Sequence, residues 1–124
     1  MGFELARPGL GIYGISPMPE LGDIDLVPAF TWSASVALTK PFSAGAGVSY
    51  NHSWHAPVDT VTAIVPCGYA DGINRRLTNK LEVTINGKRF PEVGRVSMDQ
   101  IVVNLGPDGG GAVSYTHLTL PTKA

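Results

Sequence analysis

No stretch of this chain keeps an apolar stripe at helical spacing for even roughly eleven residues, the shortest window that identifies an amphipathic helix. Proline and glycine interrupt it too often: 124 residues hold 10 Pro and 15 Gly. Between the interruptions the pattern is short-range alternation, the mark of half-buried strands. The sharpest case is LEVTINGKRF at 81–90. Leu81, Val83 and Ile85 alternate with Glu82, Thr84 and Asn86, and Asn86-Gly87 supplies the two positive-φ positions of a type I′ hairpin turn. Hydrophobic residues make up 44% of the chain, enough for a core, and 13.1 kDa suits one domain. The fold class expected is mainly β, a small barrel or sandwich.

Along the chain, residues 3–15 read as a strand-like entry, a turn at Pro8-Gly9 and a second apolar segment. Residues 16–28 form a proline-rich connector. FTWSASVALTK reads as one strand that Pro41 closes, with Phe30, Trp32, Ala34 and Val36 on one side. TVTAIVP at 60–66, VGRV at 93–96 and IVVNL at 101–105 are further strands, and GYADGINRRLTN is loop. VSYTHLTLPTK looks like translated sequencing-adapter read-through. Residues 113–124 are therefore expected to add nothing to fold or function, and Tyr115 and His117 are given no catalytic role.

The charge balance, 9 Lys+Arg against 10 Asp+Glu, offers no bulk case for nucleic acid. No apolar run reaches the roughly 18–20 residues of a membrane span, and the start lacks a secretory pattern, so a cytoplasmic protein is expected. Cys67 is the single cysteine, which excludes an internal disulfide and a multi-thiolate metal site. His52 and His55 are a weak metal signal, because a strand would put them on opposite faces and no carboxylate stands near; no metal site is assigned. Tyr50 sits at a strand-to-loop junction. Its bland reading is a partly buried tyrosine with a bonded hydroxyl; its functional reading is a proton-transfer group that needs cations nearby. Asp71 and Asp99 follow apolar strands and read either as turn caps or as an acid–base pair, with the caps preferred.

The words FELARPGLGIYGISPMPELG, FTWSASVALTK, GVSYNHSW, VPCGYADGINRRLTN and VGRVSMDQIVVNLG, in this order over about residues 3–110, resemble the actinobacterial type of alanine racemase, a fold-type III pyridoxal-phosphate family. The resemblance implies the last segment of a (β/α)₈ barrel at 1–15, an interdomain connector at 16–28, a partial C-terminal β-barrel-like domain at 29–112 and a non-native tail at 113–124. Met1 is then an internal or assigned start.

It also implies roles. Arg7 approaches the pyridine nitrogen of pyridoxal 5'-phosphate, and the amides of Gly9 and Leu10 contact its phosphate. Tyr50 is one of two catalytic bases that exchange the Cα proton of L-alanine and D-alanine from opposite faces. Met98 offers a backbone amide to the substrate carboxylate. Tyr69 lines the entrance, with Arg95 and Asp99 as neighbours. The family is a head-to-tail homodimer with shared active sites, and supplies D-alanine for peptidoglycan. The cofactor lysine belongs near the start of the barrel and has no counterpart here, and Lys40, Lys80 and Lys88 match no motif. A later phosphate-holding tyrosine is also missing. The fragment alone is expected to be inactive. Two other readings stand beside this one: a stand-alone β-barrel binding module, and a related fold-type III racemase or decarboxylase for another amino acid.

Overall fold

The computed structural model describes residues 4–7, 9–18, 20, 25–110 and 117–120, the last four by backbone alone. Two units divide the chain: Met1–Thr31 with Thr122–Ala124, and Trp32–Pro121. In the first unit the described regular element is a 3-10 turn at Gly9–Tyr13, within the second apolar segment expected there. Its Leu10, Ile12 and Tyr13 are exposed.

The second unit is antiparallel throughout. Its strands are β1 (Trp32–Ser35), β2 (Leu38–Phe42), β3 (Gly47–Val48), β4 (Trp54–His55), β5 (Thr60–Val65), β6 (Glu82–Ile85), β7 (Lys88–Pro91), β8 (Ile101–Gly106) and β9 (His117–Leu120). They form three sheets, ordered β1-β9-β6-β7, β2-β5-β8 and β3-β4. An isolated bridge between Glu92 and Val103 joins the end of β7 to β8. The described strands do not close into one barrel, because β1 and β2, although consecutive, pair in different sheets.

Strand character follows side-chain alternation where the sequence is clear. β8 alternates buried and half-buried residues, as IVVNLG predicts. β5, paired on both sides, buries residues of both faces. The core gathers Ala63 and Val65 of β5, Val83 and Ile85 of β6, and Ile101, Val103 and Leu105 of β8. The 81–90 hairpin forms with its turn at Asn86-Gly87, at φ 50° and 77°, as expected of type I′.

Three expectations are corrected. FTWSASVALTK is two strands, not one, because buried Val36 turns into the core and the Ala37 N–H donates to the Ile64 carbonyl at the corner. Pro41 lies inside β2 opposite Val61 and does not end the strand; β2 is a sheet edge, where a missing N–H is tolerated. VGRV is not a strand: beyond the Glu92 bridge the chain turns at Gly94, whose φ is 81°.

Of the segment set aside at 113–124, residues 117–120 are described, and they form β9 between β1 and β6. The physical basis is open edges. β1 and β6 each present unpaired backbone groups, and such an edge accepts a strand through main-chain bonds with little regard to sequence.

Candidate functional site

The Tyr50 side chain is presented by a strained turn. Tyr50–His52 is a 3-10 turn linking β3 to β4, and Ser49, Asn51 and His52 have φ of 62°, 60° and 45°. Non-glycine residues hold such angles only when their surroundings enforce them, and such strain gathers at functional sites. Here the enforcement is visible. The Ser49 hydroxyl donates to the Arg95 carbonyl at 2.6 Å, and Val48 beside it is 2% exposed. Gly94 packs against the same corner: a Cβ there would lie 2.8 Å from the Ser49 Cβ. With its left-handed φ, this position requires glycine for two independent reasons. The result is a Tyr50 ring 67% exposed, with no hydrogen-bond partner for its hydroxyl among the described residues. The expectation of a partly buried, bonded tyrosine does not hold.

The stretch after Gly94 carries the other half of the site. The Tyr69 N–H donates to the Ser97 carbonyl at 3.0 Å and the Ala70 N–H to the Met98 carbonyl at 2.9 Å. Residues 95–98 thus seat the Tyr50 turn on one side and the Tyr69 turn on the other. The Tyr69 ring is half-exposed, with the Arg75 guanidinium 5.2 Å from its centroid. Met98 is exposed, and its own N–H has no acceptor among the described residues. A backbone donor left without an acceptor on the stretch that seats both turns can bind an anionic oxygen and orient it.

A cleft of about 410 Å³ opens beside Tyr50, lined among others by Lys40, Phe42, Arg95, Ser97 and Gln100. Lys40 lies 5.5 Å from the Phe42 ring centroid. Arg95 and Lys40 are the two cations that line this cleft with Tyr50. Lys40 reaches the cleft from β2, which its position in the sequence does not announce.

Other candidates resolve individually. Asp71 is a cap: its Oδ2 accepts the Gly68 N–H at 2.8 Å. Asp99 is exposed, with no side-chain hydrogen bond among the described residues. Cys67 is buried, and burial, aided by the charge of Asp71, pushes its thiol up to about 11, so it is not a nucleophile at neutral pH. His52 and His55 do not sit on opposite faces of one strand: their rings meet edge to face at 6.1 Å across the turn. Among the described residues no three His, Cys, Asp or Glu side chains group as metal ligands. No helix among them is long and apolar enough to cross a membrane.

Arg7, Gly9 and Leu10 belong to the first unit. Arg7 is exposed without an ion pair among the described residues. Gly9, at φ 57°, and Leu10 head the 3-10 turn, and their N–H groups take no acceptor there.

Residues 29–120 match the family described as "Alanine racemase, C-terminal domain". The alanine racemase of Mycobacterium ulcerans is 61% identical over 104 residues, which cover 84% of this chain and 27% of that protein. That of Mycobacterium tuberculosis is 58% identical over 105 residues, covering 85% and 27%. Among solved structures, alanine racemase from Streptomyces coelicolor A3(2) matches with a TM-score of 0.84 at 42% identity, over 92% of this chain and 30% of its own. Alanine racemase from Bacillus anthracis with bound L-Ala-P matches with a TM-score of 0.80 at 38% identity, over 93% and 30%. The chain therefore spans less than a third of the length of these relatives.

Proposed function

This chain belongs to the alanine racemase family, through a C-terminal domain matched over residues 29–120, and on that premise we propose that it is part of a pyridoxal-phosphate enzyme interconverting L-alanine and D-alanine. The observation that carries the reading is Tyr50: exposed, its hydroxyl without a partner among the described residues, and held out on a strained turn that Ser49 ties to Arg95. A phenol with no bonded neighbour is free to give and take a proton at the Cα of a bound amino acid. The Met98 N–H, on the stretch that also seats the Tyr50 turn, orients the substrate carboxylate. Tyr69, Arg95 and Asp99 flank the approach, the two cations of the cleft favouring an anionic substrate.

The chain's donors fit the cofactor in part. Arg7, without an ion pair among the described residues, is a cation suited to the ring nitrogen, and the Gly9 and Leu10 amides, without acceptors among them, are donors suited to the phosphate. When bound, the cofactor withdraws electrons from Cα and so makes its proton removable. An arginine at the ring nitrogen limits charge spread into the ring, which disfavours transamination. The lysine that completes the two-base pair is not in a matching motif of this chain. In this reading residues 1–15 close a (β/α)₈ barrel, 16–28 connect it to the β domain, and 113–124 are foreign to the parent. The active enzyme is a cytoplasmic head-to-tail homodimer in which one subunit's Arg7 group meets the other's Tyr50 group.

The test uses the full-length parent and its Tyr50→Phe variant in deuterated solvent, with cofactor occupancy and dimer content matched. General acid–base help is worth about 10²–10⁴-fold, so racemisation should slow by that order in both directions. Cα–H exchange from D-alanine should persist through the lysine, while exchange from L-alanine collapses. Equal retention of both exchange rates would show that another group serves the L face.

A further inference from the structure

Glu92 is the one fully buried acid among the described residues, at 2% exposure. Its backbone bridges Val103, and its N–H donates to the Leu81 carbonyl at 2.8 Å. Its Oε2 accepts the Asn79 N–H at 2.7 Å, while Oε1 is buried with no hydrogen-bond partner. Asn79, itself at φ 56°, accepts the Gly94 N–H on its Oδ1 at 2.7 Å. Thr78 beside it accepts the Val96 N–H at 3.3 Å. One carboxyl therefore fixes a turn, and that turn holds Gly94 and Val96 through two side-chain acceptors. Arg95 and Met98, which seat the Tyr50 and Tyr69 turns, lie within that stretch and just beyond it.

The charged groups on the surrounding elements are Arg75, Arg76 and Lys80 on the turn, Glu82, Lys88 and Arg89 on the hairpin, and Arg95; β8 carries none. None pairs with Glu92, and among the described residues the ion pair is Arg89 with Glu82, at 3.5 Å. A buried carboxyl with no cation and one unpartnered oxygen favours its neutral form. Burial accordingly pushes its titration from the ordinary 4.5 up to about 7, against the opposing Asn79 N–H.

We propose that Glu92 is a positioning residue that works as a neutral acid: through Asn79 and Thr78 it holds residues 94–98, and with them the Met98 N–H and the Tyr50 turn, and its ionisation loosens that hold. Once charged, Oε1 must reach water, and the carboxyl cannot do so while it stays under the 78–79 turn. The catalytic consequence rests on the reading of Tyr50 and Met98 given above; the hold itself does not.

Two variants separate the acceptor from the charge. Glu92→Gln keeps an acceptor for Asn79 and cannot ionise; Glu92→Met keeps the length and loses both. Glu92 carboxyl carbon and backbone amide signals are followed by NMR against pH in the 124-residue chain, or in the full-length parent where the chain alone gives no dispersed spectrum. The expected result is a Glu92 midpoint near 7, with the Gly94 and Met98 amides shifting at the same midpoint. In Glu92→Gln they should stay at their low-pH positions, and in Glu92→Met they should be displaced at every pH. In the full-length parent, KM for L-alanine relative to that of Glu92→Gln should rise about threefold or more across the same range. A midpoint between 4 and 5, or a Glu92 titration that leaves Gly94 and Met98 unmoved, overturns the proposal. A parent that does not racemise alanine removes the functional reading, and the amide titrations still decide the hold.

Discussion

Ser49 shows what one residue contributes to this site and how little of it is written locally. The word VSY marks Tyr50 by resemblance, but nothing within it says that the serine hydroxyl reaches the Arg95 carbonyl 46 residues on. Without that contact the turn at φ 62° has no reason to persist. Glu92 is hidden in the same way. In PEVGRV nothing local marks it; its burial comes from the 75–81 turn folding over it, a long-range event that no spacing encodes. Its stability signature can be predicted. A carboxyl whose folded-state pKa is raised binds its proton more tightly folded than unfolded. Its contribution is therefore complete below about 4.5 and is lost as pH rises through about 7. The loss is at most about 3 kcal/mol across that window. Urea midpoints at pH 4, 6 and 8 should therefore fall for wild type relative to Glu92→Gln, the difference cancelling all other carboxylates. A difference that stays flat, or grows the other way, would mean that Glu92 is charged in the fold.

At the level of elements, the legible parts were those whose periodicity and turn chemistry agree. β5, β8 and the β6–β7 hairpin lie where alternation places them. The unreadable ones were decided by partners: β1 and β2 divide where Val36 enters the core, and residues 93–96 leave the sheet where Gly94 meets Ser49. The hairpin turn offers a clean torsional test. Gly87 is at φ 77° with nothing within 4 Å of a Cβ placed there, so a side chain meets no steric obstacle. Gly87→Val in the full-length parent should then lower stability by about 1 kcal/mol or more through backbone strain alone. An unchanged denaturant midpoint would remove the type I′ assignment. β9 tests the opposite case, a strand held by edges and not by its own pattern. Among the described residues it is the strand that joins β1 to β6. A chain ending at Ala112 should lose that link, so its thermal midpoint should fall by several degrees and the freed edges should promote self-association. Unchanged melting and sedimentation would return residues 113–124 to the role of inert tail.

On the scale of the whole molecule, the proposed function draws on both units. It takes Arg7 and the amides of Gly9 and Leu10 from the first, and Tyr50, Met98 and the cleft lined by Arg95 and Lys40 from the second. The family words single out both sets of residues, whereas nothing in them singles out Lys40, which shares a cleft with Tyr50 only once β2 has paired with β5. That lysine makes the last prediction a demanding one. It is an amine in the cleft of the proposed base, so it is the residue most able to imitate the missing cofactor lysine. A productive Schiff-base lysine must be desolvated or paired so that its amine is neutral and fixed. Lys40 is exposed, 5.5 Å from the Phe42 ring centroid, and has no carboxylate partner among the described residues, so it is neither desolvated nor fixed by a pair. We therefore expect that the 124-residue chain, mixed with pyridoxal phosphate and reduced with borohydride, gives only substoichiometric adducts spread over several lysines. Alanine should racemise no faster than with the free cofactor. Peptide mapping and chiral product measurement on one sample decide the matter. One equivalent on Lys40 together with catalysed racemisation would mean that the β domain holds a complete site of its own, and the shared-site reading of Arg7 and Tyr50 would have to be abandoned.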